Sequence, residues 1–197
     1  MVAAFRLTGR AVQLWWHELF MLTFFNIVWL ALQIPLVTGP PATAAMYVIA
    51  GSVADGDSPK PIHGWAALRR TFLPAIRWGV MNLIIILIVV GNFWAYRAQV
   101  GLGWTILRFA WGLIGAAWFG INLFYWPFWL AQEQRSTRIT LRNALLFYAK
   151  RPGYAMTLTL ISALLIVVSV LTTLPLAVAL LAWLSLIGVL AIGEELG

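Results

Sequence analysis

Residues 78–96 read WGVMNLIIILIVVGNFWAY, a stretch that contains no charged side chain. A helix needs about 20 mostly apolar residues to cross the hydrocarbon core of a bilayer. Comparable stretches recur along the chain and predict an all-α, polytopic transmembrane helical bundle of about six crossings in one domain, residues 1–197. The expected spans are residues 19–37, 42–53, 78–96, 105–129, 154–173 and 175–193.

The overall composition agrees with a membrane protein. The chain is 62% hydrophobic and 10% charged, whereas about 25% of the residues in an ordinary soluble domain are charged. Lipid is therefore the solvent that covers its surface. The sequence contains no cysteine, which excludes disulfides, thiolate nucleophiles and cysteine-ligated metal centres.

The basic residues predict an orientation in the membrane. All 13 except Arg97 and Arg108 lie in residues 6–10, 60–77 and 135–151. Cytoplasmic loops carry an excess of Lys and Arg. If the short segment 42–53 crosses, all three regions and both termini are cytoplasmic; a re-entrant segment is the alternative. The net charge of +7 then reflects topology, and no nucleic-acid partner is expected.

An amphipathic helix is predicted between the second and third spans. Trp65, Leu68, Phe72 and Ile76 share one helical face, which is typical of a helix lying on the cytoplasmic leaflet or packed against the inner end of the bundle. Residues 141–146 resemble residues 68–73, so a unit made of one basic helix and the helical hairpin that follows it is expected up to three times. The basic side chains expected to face anionic lipid are Arg69, Arg70, Arg138 and Arg142.

The most distinctive segment follows the first expected span. Proline is favoured in the first turn of a helix, and glycine gives the backbone freedom for a turn. One interpretation is a helix N-terminus that holds an anionic group; the other is a tight extracytoplasmic turn packed by small residues. The residues of this candidate functional turn are Thr38, Gly39, Pro40, Pro41 and Thr43.

Three short stretches, residues 26–30 (NIVWL), 35–38 (PLVT) and 41–45 (PATAA), resemble the signature of the YesL-like family of bacterial integral membrane proteins, a domain of unknown function. The resemblance is concentrated in residues 20–75. It implies a place in the bacterial cytoplasmic membrane and an association with carbohydrate ABC importers, whose genes often accompany those of the family. The family pattern has one residue between Thr and Gly and then a single Pro, from which Thr38-Gly39-Pro40-Pro41 departs.

Polar side chains inside the expected spans are the other candidate site. Such groups hydrogen-bond neighbouring helices or line a substrate path. No Asp or Glu lies within a span, which argues against coupling to protons or sodium. The candidate intramembrane polar residues are Asn26, Asn82, Asn92 and Asn122.

The sequence carries no recognisable catalytic, cofactor or metal motif. It therefore favours a non-enzymatic accessory or assembly subunit that binds the bilayer and another integral membrane protein, with an ABC transporter or a second copy as candidates. The alternative is a small transporter or channel for an uncharged or anionic solute.

Overall fold

The computed structural model describes residues 2–196, and all the regular structure in that range is helical. The helices are α1 (Val2–His17), α2 (Leu19–Leu32), α3 (Gly39–Ala54), α4 (Pro61–Ala95), α5 (Leu102–Leu130), α6 (Thr137–Lys150), α7 (Pro152–Thr172), α8 (Leu174–Val178) and α9 (Leu180–Leu196).

Helix α9 lies at the centre of the fold, where it contacts α1, α2, α3, α5 and α7. Its residues 180–192 read LLAWLSLIGVLAI, and a helix that is apolar on every side is buried on every side. Gly188 allows α5 to approach closely, because a Cβ at this position would lie 2.8 Å from the carbonyl oxygen of Leu123.

Helix α4 joins two elements that the sequence predicts as separate. The amphipathic segment around Trp65 and the apolar span that begins at Trp78 form one helix of 35 residues, about 52 Å long. Pro74 lies inside this helix and leaves the carbonyl of Arg70 without its backbone donor. The amphipathic segment is thus the N-terminal part of a long helix, and Gly79 of the same helix packs directly against Pro40 of α3.

The boundary between the first two expected spans is earlier than predicted. Helix α2 ends at Leu32, and residues 33–38 form the turn. Gly39, Pro40 and Pro41 are already the first turn of α3, where proline costs no hydrogen bond. At about 1.5 Å per residue, the 14 residues of α2 and 16 of α3 reach roughly 21 and 24 Å, less than the ~30 Å hydrocarbon core.

Among residues 2–196, three helices are long and apolar enough to cross a membrane: α4, α5 and α7. The pair α1 and α2, bent by 96°, would add a fourth if it is one broken span. The expected span 175–193 is interrupted, since α8 and α9 are separated at Ala179. The chain is therefore an all-helical protein with several membrane-spanning helices, and the count from helix length is lower than six.

The C-terminal half of α4 and the N-terminal half of α5 form a hairpin that projects from the core, which we call the outer hairpin. Gly101, with φ of 117°, starts α5 in a conformation that glycine adopts readily. On either side of this turn, the two helices are covered mainly by each other. The exposed apolar side chains of this outer hairpin include Leu83, Leu87, Val90, Ile106, Phe109 and Leu113.

Candidate functional site

Asn26 of α2 binds the break between α8 and α9. Its Nδ2 donates to the carbonyl oxygens of Leu176 and Ala177, both at 2.8 Å. Its Oδ1 accepts from the backbone N–H groups of Leu181 at 2.9 Å and Ala182 at 3.3 Å. The last carbonyls and first amides at helix ends lack intrahelical partners, and one carboxamide satisfies both kinds. Asn26 is fully buried, so its role here is to hold three helices together.

Asn82 and Asn122 form a reciprocal pair of interhelical contacts with two tryptophans. Trp78 Nε1 of α4 donates to Asn122 Oδ1 of α5 at 2.9 Å. Trp118 Nε1 of α5 donates to Asn82 Oδ1 of α4 at 2.8 Å. Each helix thus contributes one tryptophan and, four residues later, one asparagine, so the two helices exchange equivalent hydrogen bonds.

The amide nitrogens of this pair bond within their own helices. Asn82 Nδ2 donates to the carbonyl of Trp78 at 2.9 Å, and Asn122 Nδ2 donates to the carbonyl of Trp118 at 2.8 Å. Both ends of each carboxamide are therefore engaged in the fold. We call the four residues Trp78, Asn82, Trp118 and Asn122 the Trp–Asn clasp.

Asn92 is separate from the other candidate polar residues. Its Nδ2 donates at 2.7 Å to the carbonyl of Ile88 in the same helix, and among residues 2–196 no side chain of another helix is bonded to it. The structure thus brings Asn82 and Asn122 together and leaves Asn26 and Asn92 at two other places. The four asparagines do not form one row along a shared path.

The candidate turn bonds chiefly to itself and to α2. Thr38 Oγ1 donates to the carbonyl of Leu32 at 2.6 Å, while Thr43 Oγ1 donates to the carbonyl of Gly39 at 3.0 Å and accepts from Trp29 Nε1 at 2.9 Å. Gly39 packs against the end of the Gln33 side chain, since a Cβ at Gly39 would lie 2.6 Å from Gln33 Oε1.

The first turn of α3 also lacks free donors. Pro40 and Pro41 have no N–H, and the N–H groups of Gly39 and Ala42 bond to the carbonyls of Leu36 and Thr38. An anion would need such donors to bind at a helix N-terminus. This geometry favours the interpretation of a packed turn.

The four arginines expected to face anionic lipid are all exposed. Arg69 stacks over the ring of Trp65, with 5.4 Å from Cζ to the centroid. Arg135, from the loop after α5, lies close enough to Arg70 of α4 that burial, and then this like charge, lower the pKa of Arg135. The remaining expected lipid-facing arginines, Arg138 and Arg142 of α6, are exposed.

Two polar contacts join helix ends that are distant in sequence. The Arg151 guanidinium lies 2.9 Å from the Glu195 carboxylate, which ties the start of α7 to the end of α9. The hydroxyl of Ser58 donates to Glu18 Oε1 at 2.6 Å, which ties the α3–α4 loop to the start of α2. These contacts bring the charged helix ends together in two places.

An apolar groove, which the sequence did not predict, lies between α2, α3 and the N-terminal part of α4. Its volume is about 430 Å³. Representative lining residues are Phe25, Val28, Met46, Trp65, Leu68 and Phe72. The spacing of Trp65, Leu68 and Phe72 marked an apolar helical face in the sequence, but not the two helices that complete the groove.

Comparisons with protein-family models, with curated proteins and with solved structures gave no match. Within residues 2–196, no three His, Cys, Asp or Glu side chains are grouped so that they could hold a metal ion. The function of the chain must therefore be inferred from its own contacts and surfaces.

Replacing Asn26 by alanine should destabilise the fold. The change leaves two carbonyls and two N–H groups at the α8–α9 break without partners, and we expect a loss of about 2–4 kcal/mol. Asn92→Ala is the matched control, with an expected change below about 0.5 kcal/mol. Unfolding by SDS titration in mixed micelles measures both, and equal losses would contradict the role given to Asn26.

The Trp–Asn clasp should show energetic coupling between helices. Trp118→Phe and Asn82→Leu, made singly and together, are expected to give an interaction energy of about 0.5–1.5 kcal/mol. Trp104→Phe combined with Asn82→Leu is the control. Trp104 lies near the start of α5, away from Asn82, so the effects of these two changes should be additive. An additive result for the first pair would contradict the clasp.

Proposed function

We propose that this chain is a non-enzymatic accessory or assembly subunit of a membrane complex, which binds another integral membrane protein through its helices. The observation that carries this proposal is the outer hairpin of α4 and α5, which projects from the core with an apolar surface.

Glycines on this hairpin support close helix contact. A Cβ at Gly91 or Gly103 would meet no atom within 4 Å, so the backbone is open to a neighbour at both positions. Helices associate in membranes chiefly where small residues let their backbones approach. The hairpin therefore offers a shape that a second transmembrane helix can pack against.

The use of polar groups inside the fold supports a structural role over transport. Asn26 is bonded to the α8–α9 break, and Asn82 and Asn122 are bonded in the clasp. A solute path needs polar groups that exchange partners with the solute. The asparagines that were candidates for such a path are already engaged with protein.

We further propose six crossings with cytoplasmic termini in the bacterial membrane, in which α2 and α3 form a short pair and α8 with α9 forms the last crossing. The contacts Glu18–Ser58 and Arg151–Glu195 support this topology. So does the proximity of Arg135 to Arg70. Each contact joins regions that this topology assigns to the cytoplasmic side.

The resemblance to the YesL-like family makes a carbohydrate ABC importer the first partner to test, and a second copy of this chain the next. A small transporter is the second candidate function. The break between α8 and α9 favours it, because discontinuous helices form the substrate sites of many transporters. In this fold Asn26 occupies that break, which is why we place transport second.

The topology can be tested directly because the chain contains no cysteine. Single-cysteine variants Asp57→Cys and Ser136→Cys should react with an impermeant maleimide only after cells are opened, since their loops are cytoplasmic. Val100→Cys, in the α4–α5 turn, should react in intact cells. The cysteine-free parent is the control for background. Labelling of Asp57→Cys in intact cells would refute the six-crossing topology.

The partner proposal predicts that the protein leaves native membranes in mild detergent with a stoichiometric membrane-protein partner. Gly91→Leu or Gly103→Leu should reduce this co-purification several-fold, because the added side chain blocks close helix approach. Gly153→Leu is the matched control, since Gly153 is equally open but lies at the start of α7. Recovery of the protein alone, together with solute uptake by the pure protein in liposomes, would favour transport instead.

A further inference from the structure

The groove between α2, α3 and α4 has the chemistry of a hydrocarbon site. Nearly all of its lining is apolar. Two of the three lining side chains that carry a polar atom are already used, since Thr38 donates to the carbonyl of Leu32 and Trp29 donates to Thr43; the third, Trp65, offers a single indole N–H. A polar solute would gain little from these engaged groups, whereas an alkyl chain needs no polar partner.

The groove is open along one side. Phe24, Trp65 and Phe72 form parts of its walls and are 44, 56 and 39% exposed. The surface around it is apolar as well, with Phe20 and Ile34 of the α2 segment almost fully exposed. Such a surface faces lipid in a membrane protein, so lipid has direct access to the groove.

One edge of the groove carries positive charge. Arg69 stacks over Trp65, a lining residue, and Lys60 directly precedes Pro61, another lining residue. Residues 58–77 contain no Asp or Glu. The nearest carboxylates in sequence, Asp55 and Asp57, lie in the preceding turn.

A further acid, Glu18, is held by the hydroxyl of Ser58. The α4 side of the groove thus presents cations to a headgroup, and guanidinium groups bind phosphate oxygens strongly.

We propose that this groove is a binding site for an anionic phospholipid of the cytoplasmic leaflet. One acyl chain lies between α2, α3 and α4, and the headgroup phosphate lies beside Arg69, with Lys60 as the next cation. The site is distinct from the outer hairpin, so it stands or falls independently of the partner proposed above.

The test uses the full chain in nanodiscs made from equal amounts of phosphatidylglycerol and phosphatidylcholine. After gentle extraction, native mass spectrometry counts the lipids retained on each chain. We expect one tightly held phosphatidylglycerol per chain. A protein segment or a second copy retained in place of lipid would overturn the proposal.

The first variant fills the groove. Ala45 is a lining residue, and Ala45→Phe should reduce lipid retention at least tenfold. Ala116→Phe, at an exposed position of α5, is the matched control and should retain the lipid. Folding of both is checked by size-exclusion chromatography. Unchanged retention by a folded Ala45→Phe protein would refute the site.

The second variant keeps the groove and removes the charge, at an exposed position where the fold is unaffected. Arg69→Gln should lower the preference for phosphatidylglycerol over phosphatidylcholine by roughly tenfold, the loss of about one charge-assisted hydrogen bond. Arg142→Gln, an exposed charge on α6, is the matched control. An unchanged preference in Arg69→Gln would overturn the placement of the headgroup.

Discussion

The carboxamide of Asn26 at the α8–α9 break is the contact on which the centre of this fold depends. Inside a bilayer, backbone groups without a helical partner must be satisfied by the protein itself. The break at Ala179 creates such groups next to the most enclosed helix of the chain. One side chain from α2 binds both sides of the break, and α9 can therefore pack against α1, α2, α3, α5 and α7 while the backbone at the break stays hydrogen-bonded.

The same rule explains the Trp–Asn clasp and its consequence for the outer surface. The indole N–H groups of Trp78 and Trp118 are paired with asparagines between α4 and α5, so few polar atoms of the hairpin face lipid. A surface with little polarity cannot be recognised by hydrogen bonds. Recognition of the hairpin by another helix then rests on shape, which is where the open backbone at Gly91 and Gly103 matters.

Hydropathy was enough to locate α4, α5 and α7, because their apolar runs are long and end in polar or turn residues. It was not enough to distinguish α9 from α4. The part of α4 from Trp78 onward is as apolar as α9, yet α9 is enclosed by helices and this part of α4 is exposed. That difference is set by tertiary packing, which composition alone does not encode.

Two local predictions were wrong for related reasons. The amphipathic segment around Trp65 and the span from Trp78 were expected as separate helices, but they form one helix, because the single proline between them, Pro74, costs a helix only one backbone donor and some steric strain. Thr38 to Pro41 suggested a turn, but proline fits the first helical turn and the turn lies earlier. Asn82 and Asn122 were found as polar residues in spans, and the shared four-residue spacing from Trp78 and Trp118 was the signal that could have paired them.

The continuity of α4 through Pro74 has a mechanical consequence. The groove-lining part of the helix ends at Phe72, and the projecting hairpin lies beyond Pro74, where one backbone hydrogen bond is missing. From Pro74 to Ala95 the helix forms an arm of about 31 Å. A change of roughly 10° at this joint would move the far end by about 5 Å. The length of the arm beyond Pro74 means that a small change of angle at this residue corresponds to a large displacement at the tip of the hairpin.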